Sequence, residues 1–243
     1  MSVGESHRLR RFAMWSAFAS AGFWIIGNVT VLLFYALELP QSLAGAAEPH
    51  IFGPLSDYAS LLQFVFLAPL PLALLQVSSS RQANADVVSA ALGVAGSLLG
   101  AVAQALLVIG VIEFDLNLPI ILVALTLIGA WMFLASQRGR SAKLLSVRLA
   151  RLGMVTGTSL AALTILVLAG VVATALNPGS VATVGAFFQR NPVIIGVVVV
   201  VFIPGFLAYF CGIPLWLIGV GRRLLTSLLA QEQTDWRRAQ APV

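Results

Sequence analysis

The sequence predicts an all-α integral membrane protein, a bundle of six transmembrane helices with both termini in the cytoplasm. Three observations predict it. Six long apolar runs lack any ionisable residue, charged residues make up 9% of the chain against 59% hydrophobic, and 13 of the 14 Lys and Arg fall on one side when six spans are drawn. A soluble domain carries roughly 25% charged residues, so this chain could not cover its own surface in water. A mean hydropathy of +0.97 points the same way.

The apolar runs lie at about 12–37, 58–79, 87–112, 119–136, 153–176 and 193–220. A helix needs about 20 apolar residues to cross roughly 30 Å of hydrocarbon, and each run is near that length or beyond it. The six spans and their connections use up the 243 residues as a single transmembrane domain. Helices are expected because an isolated strand cannot satisfy its backbone in lipid. A membrane barrel would show alternating segments of about 10 residues, and no such alternation is present. The first run follows a basic segment and precedes Ala44-Gly45-Ala46, as a cleaved leader would. A leader's apolar region runs only about 7–15 residues, so the first run reads as a retained helix.

Sidedness follows from the cations. Arg8, Arg10 and Arg11 precede the first span; Arg81 lies between the second and third; Arg138, Arg140, Lys143, Arg148 and Arg151 lie between the fourth and fifth. Arg222, Arg223, Arg237 and Arg238 follow the sixth, and only Arg190 lies opposite. The positive-inside rule makes the rich side cytoplasmic, which implies a multi-pass protein of the inner or plasma membrane. The same distribution explains a net charge of +5 without nucleic acid. The first outer connection, about 38–57, holds Glu38, Glu48, His50 and Asp57; the third, Glu113 to Leu118, is short. The fifth, about 177–192, contains apolar Val181 to Phe188, either a plain loop or a short interfacial piece. From 221 to 243 a cytoplasmic tail has Leu224, Leu225, Leu228 and Leu229 at helical spacing, as in an amphipathic helix on the inner leaflet.

Helices in lipid associate by close packing and polar contacts. Gly96 and Gly100 form a GxxxG pair in the third span, and Gly153 and Gly157 form another in the fifth. The first span aligns Ala17, Ala21, Trp24 and Asn28 on one face. These are helix-packing faces, either inside the bundle or in a homodimer. Asn28, Gln63 and Gln104 lie deep in spans. An unpaired amide in an apolar medium costs roughly 2–7 kcal/mol, so each needs a partner: another helix, or a polar cavity for a small ligand. Pro69 and Pro71 in the second span, and Pro204 and Pro214 in the sixth, are expected helix kinks. Broken helices recur in transporters, although kinks also occur without transport.

Absences narrow the function. Ionisable groups inside spans mark proton relays, ion paths and voltage sensors, and these six runs have none. His7 and His50 lie outside the runs, so paired axial haem ligation is not expected. There is no HExxH motif, and serines in the spans have no His or Lys beside them to act as base. One His with Glu48 and Asp57 is a poor metal set. Cys211 is the single cysteine, which forbids an internal disulfide. No catalytic, metal or cofactor residue is assigned and no cofactor is expected.

Arg148-Leu-Ala-Arg-Leu-Gly-Met-Val-Thr-Gly157 opens the fifth span, and Pro214-Leu-Trp-Leu-Ile-Gly-Val-Gly-Arg-Arg223 closes the last. With the six-span layout, these stretches resemble bacterial membrane proteins grouped as domain-of-unknown-function family 4386. The resemblance implies a bacterial inner-membrane protein and assigns no residue a role. The favoured expectation is a non-catalytic membrane protein: a scaffold, accessory subunit or sensor. The alternatives are a carrier or channel for a neutral or lipophilic molecule, and an interfacial enzyme using Glu48, His50 and Asp57. Expected partners are membrane lipids, and a membrane protein or a second copy of the chain.

Overall fold

A computed structural model describes residues 3–43, 51–77, 83–176 and 192–240. Among them all regular structure is helical, and six helical segments are long and apolar enough to cross a membrane: Arg8–Gln41, Phe52–Gln76, Asp86–Val108, Phe114–Ser141, Val147–Gly170 and Val200–Ala230.

The first span is α1 (Val3–Leu33), a π-helical segment (Phe34–Glu38) and a short α2 (Leu39–Leu43). The second is α3 (Phe52–Leu67) and α4 (Pro69–Val77), divided at Ala68. Two prolines within three positions remove two backbone donors there, so the ladder cannot run through unbroken. The third, fourth and fifth spans are the single helices α5 (Ala83–Val108), α6 (Phe114–Ser141) and α7 (Val147–Leu176). The sixth is α8 (Pro192–Leu207), a second π-helical segment (Ala208–Gly212) and α9 (Ile213–Gln240).

Each span packs against the next, and α9 packs back against α1, closing a ring. At its centre lie Trp24, Trp131 and Trp216, with Phe64, Leu70, Ile128, Leu160 and Leu217 among the fully buried side chains. Trp131 and Trp216 meet edge to face at 5.5 Å, a geometry the ring quadrupoles favour. The outward faces are as apolar as the core: Val200, Ile109 and Trp15 are each about two-thirds exposed or more. Contiguous exposure of this kind is what a lipid solvent allows and water does not.

The connections differ from the sequence-based expectation. The first is not an irregular loop over 38–57, since helix runs on to Leu43 and resumes at Phe52. Glu38 and Asp57 therefore sit in helix, and Asp86 opens the third span. The membrane-length segments thus carry carboxylates near their ends, where the six shorter runs carried none. Glu38 explains the first of these. Ile51, the residue before α3, offers no side-chain cap. The Glu38 carboxylate, only 7% exposed, replaces it by accepting from the backbone N–H groups of Ile51 (2.5 Å), Phe52 (2.8 Å) and Gly53 (3.3 Å). A negative group at a helix N-terminus satisfies orphan donors and complements the dipole.

The third connection is residues 109–113, because α6 already begins at Phe114. Past residue 220 α9 continues unbroken to Gln240, and Leu224 and Leu228 are buried in the common core. Val181 to Phe188, Glu48 and His50 lie outside the described residues.

Candidate functional site

The predicted packing glycines all point into the one chain. A Cβ on Gly96 would meet the Ala124 carbonyl at 2.8 Å, and one on Gly100 would meet the Phe64 ring at 2.7 Å. One on Gly153 would strike Ser136 Oγ at 2.0 Å and Trp216 Nε1 at 2.2 Å; one on Gly157 would strike the Gly129 carbonyl at 2.4 Å. Gly129 and Gly157 face each other across α6 and α7, and Thr126 and Thr164 share a hydrogen bond of 2.7 Å along the same seam. Thus α5 and α7 use their small residues to bring neighbouring backbones close within the ring.

The three amides fall into two groups. Asn28 and Gln63 belong to a cluster built around Pro214. Proline has no N–H, so in α register it leaves the carbonyl of Phe210 unpaired, and in π register that of Tyr209. Both carbonyls are taken by α1. Trp24 Nε1 donates to Tyr209 O at 3.0 Å, and Asn28 Nδ2 donates to Phe210 O at 3.1 Å. The Gln63 side chain is hydrogen-bonded to the Tyr209 hydroxyl, and the Tyr209 and Trp24 rings meet edge to face at 5.4 Å. The second span is tied to α1 likewise: Ser20 Oγ donates to Gln63 O at 3.0 Å and Ser16 Oγ to Phe66 O, just ahead of the break at Ala68. Pro204 lies inside α8, beyond this cluster.

Gln104 stands apart from both. Its side-chain oxygen accepts from Asn117 Nδ2 at 2.8 Å, and its amide is hydrogen-bonded to the Asp57 carboxylate. This chain links α3, α5 and α6 at the end of the bundle away from the Arg- and Lys-rich turns. Sequence reasoning assigned Asn117 to a loop and missed it. The available signal was a second amide just across a short connection from Gln104. Asn117 Oδ1 is buried without a hydrogen-bond partner.

The opposite end carries a groove of about 340 Å³. Arg10 of α1, Lys143 of the α6–α7 turn and Arg223 of α9 line it, over a floor that includes Leu74, Leu145 and Leu224. Arg223 Nε donates to the Leu144 carbonyl at 3.1 Å, which holds the guanidinium against the turn. Lys143 is the one described non-glycine residue with positive φ, at 57°. A left-handed backbone costs an ordinary side chain roughly 1–2 kcal/mol, and glycine or asparagine usually stands at such a helix end. Leu74, Leu144 and Leu145 also line a smaller cavity of about 50 Å³, where Arg138 of α6 and Asp86 of α5 form an ion pair at 3.1 Å. On the far side of Arg223 a shallower hollow is lined by Arg148 and Arg222. Cations from α1, α6, the α6–α7 turn, α7 and α9 thus gather at one end of the ring.

No protein-family model, no curated protein and no solved structure matches this chain. Among the described residues no group of three or more His, Cys, Asp or Glu is placed to hold a metal ion.

Proposed function

We propose that this chain is a non-catalytic, multi-pass protein of the cell membrane, a scaffold, accessory subunit or sensor, with both termini in the cytoplasm. The observation that carries this reading is the use of the buried amides. Asn28, Gln63 and Gln104 each bond a neighbouring helix, in two separate groups, so the strongest polar side chains of the interior hold helices together. Reactive chemistry in a membrane interior uses ionisable groups that face one another or a shared cavity. Here three of the carboxylates near the span ends are engaged structurally, Glu38 capping α3, Asp57 bonding Gln104 and Asp86 pairing with Arg138, while Asp115 in the first turn of α6 is exposed. Support for the sidedness comes from the gathering of Arg10, Lys143 and Arg223 around one groove.

Purification from native membranes in mild detergent, followed by cross-linking and mass analysis, tests the proposal. A membrane protein recovered at fixed stoichiometry with this chain is the expected result. Free monomer alone would count against it.

A further inference from the structure

We propose that the groove between α1, α9 and the α6–α7 turn is a binding site for the headgroup of an anionic phospholipid. The occupant is set by three features of the groove. Its cations, Arg10, Lys143 and Arg223, come from three different segments, and among the described residues no acidic side chain lines it. A concentration of positive charge at one site selects an anion, and a phosphate suits the geometry of an Arg beside a Lys.

The floor beneath these cations is apolar and continues through Leu74, Leu144 and Leu145 into the cavity below. A free phosphate gains nothing from such a floor, whereas the glyceryl and upper acyl carbons of a lipid cover it. The site also lies at the right depth. Leu74 is just inside the end of the second membrane-length segment, and Lys143 lies in the turn between the fourth and fifth. Basic pockets between transmembrane helices at a cytoplasmic surface are where anionic headgroups dock.

Lys143 supplies an independent argument. Its left-handed backbone is a position where glycine would be easier. A residue kept there against backbone preference points to a use for its side chain, and that side chain lines the groove. The volume of about 340 Å³ is within the range of ligand pockets.

The test is binding of single lipids to the full-length protein in mild detergent, read by native mass spectrometry. Phosphatidylglycerol and phosphatidylcholine of matched acyl length are compared, with inorganic phosphate as competitor. Phosphatidylglycerol should bind more tightly than phosphatidylcholine. Lys143→Gly with Arg223→Gln should reduce its affinity roughly tenfold or more, since each cation at a membrane surface is worth about fivefold. Lys143→Arg should keep the binding. Arg140→Gln, which removes an exposed, solvent-screened charge outside the groove, should change the affinity by only about twofold, well short of the effect of a groove cation. Lys143→Gly alone relieves the backbone and should fold at least as stably as the parent, yet it should still lose about fivefold in affinity, a loss that unfolding cannot explain. Equal binding of the two lipids would overturn the proposal. So would displacement by millimolar inorganic phosphate, or an equal loss in Arg140→Gln.

Discussion

Replacing Gly157 with alanine should destabilise the bundle, although alanine is the better helix former. The new Cβ would lie 2.4 Å from the Gly129 carbonyl oxygen and 2.8 Å from the Phe133 nitrogen. Ordinary contact begins at 3.4 Å, so α6 and α7 would have to part locally by about 1 Å (3.4 − 2.4). Both obstacles are backbone atoms, and no rotamer change can relieve them. Overpacking of this kind costs about 1–3 kcal/mol, and the upper half of that range applies here. Parting the helices also stretches the nearby Thr126–Thr164 hydrogen bond, now 2.7 Å. Against this stands a helix-propensity gain of about 1 kcal/mol. The net loss is then about 1–2 kcal/mol, or roughly 2–8 °C in Tm for a chain of this size. Thermal unfolding in mild detergent, followed by tryptophan fluorescence, reads it directly because Trp131 and Trp216 are fully buried nearby. Gly22→Ala is the control, since nothing lies within 4 Å of the position, and it should be neutral or slightly stabilising. A Gly157→Ala protein as stable as wild type would refute the reasoning. Equal losses in both variants would refute it too.

Other perturbations follow from the same contacts. Asn28→Leu leaves the Phe210 carbonyl without its side-chain donor and should cost about 0.6–1.7 kcal/mol, the range for such bonds between membrane helices; in a Pro214→Ala background the restored backbone N–H should shrink that loss, and thermal unfolding of the four proteins of the cycle measures the difference. Glu38→Ala should lower stability by about 1.5–3 kcal/mol, the scale of hydrogen bonds to a charged group, and should speed amide exchange at Ile51, Phe52 and Gly53, with Glu38→Gln intermediate. Gln104→Leu should break the link from Asn117 to Asp57 and destabilise by about 1–3 kcal/mol, the cost of leaving a buried partner unsatisfied, with faster exchange localised to the start of α6.

Much of the fold was legible because the bilayer imposes a simple ruler. Span length and the one-sided distribution of cations gave six helices, and Ala17, Ala21, Trp24 and Asn28 are buried along α1 as their spacing predicts. The ends of the helices were not legible. Glu38 and Asp57 look like loop residues when hydropathy alone is read, because a charge in an apolar run is taken as its end. Their helical placement depends on partners distant in sequence, the backbone of residues 51–53 and the Gln104 amide. The amides were found by their cost in lipid, but their partners depend on tertiary geometry. The pairing of Asn28 with Phe210 could not be read from either helix alone, because it compensates a proline 186 positions away, in the last span (214 − 28). The basic groove was hidden for the same reason: Arg10, Lys143 and Arg223 become neighbours only when the sixth span closes the ring on the first.

The central claim, a six-span ring with its cationic end in the cytoplasm, is tested most directly by labelling single cysteines in intact cells. In a Cys211→Ala background, Glu113→Cys marks the connection between the third and fourth spans, and Arg140→Cys marks the cationic end. A membrane-impermeant maleimide should label Glu113→Cys from outside, and Arg140→Cys only after the membrane is permeabilised. Labelling of both from outside, or of Arg140→Cys alone, would contradict the account.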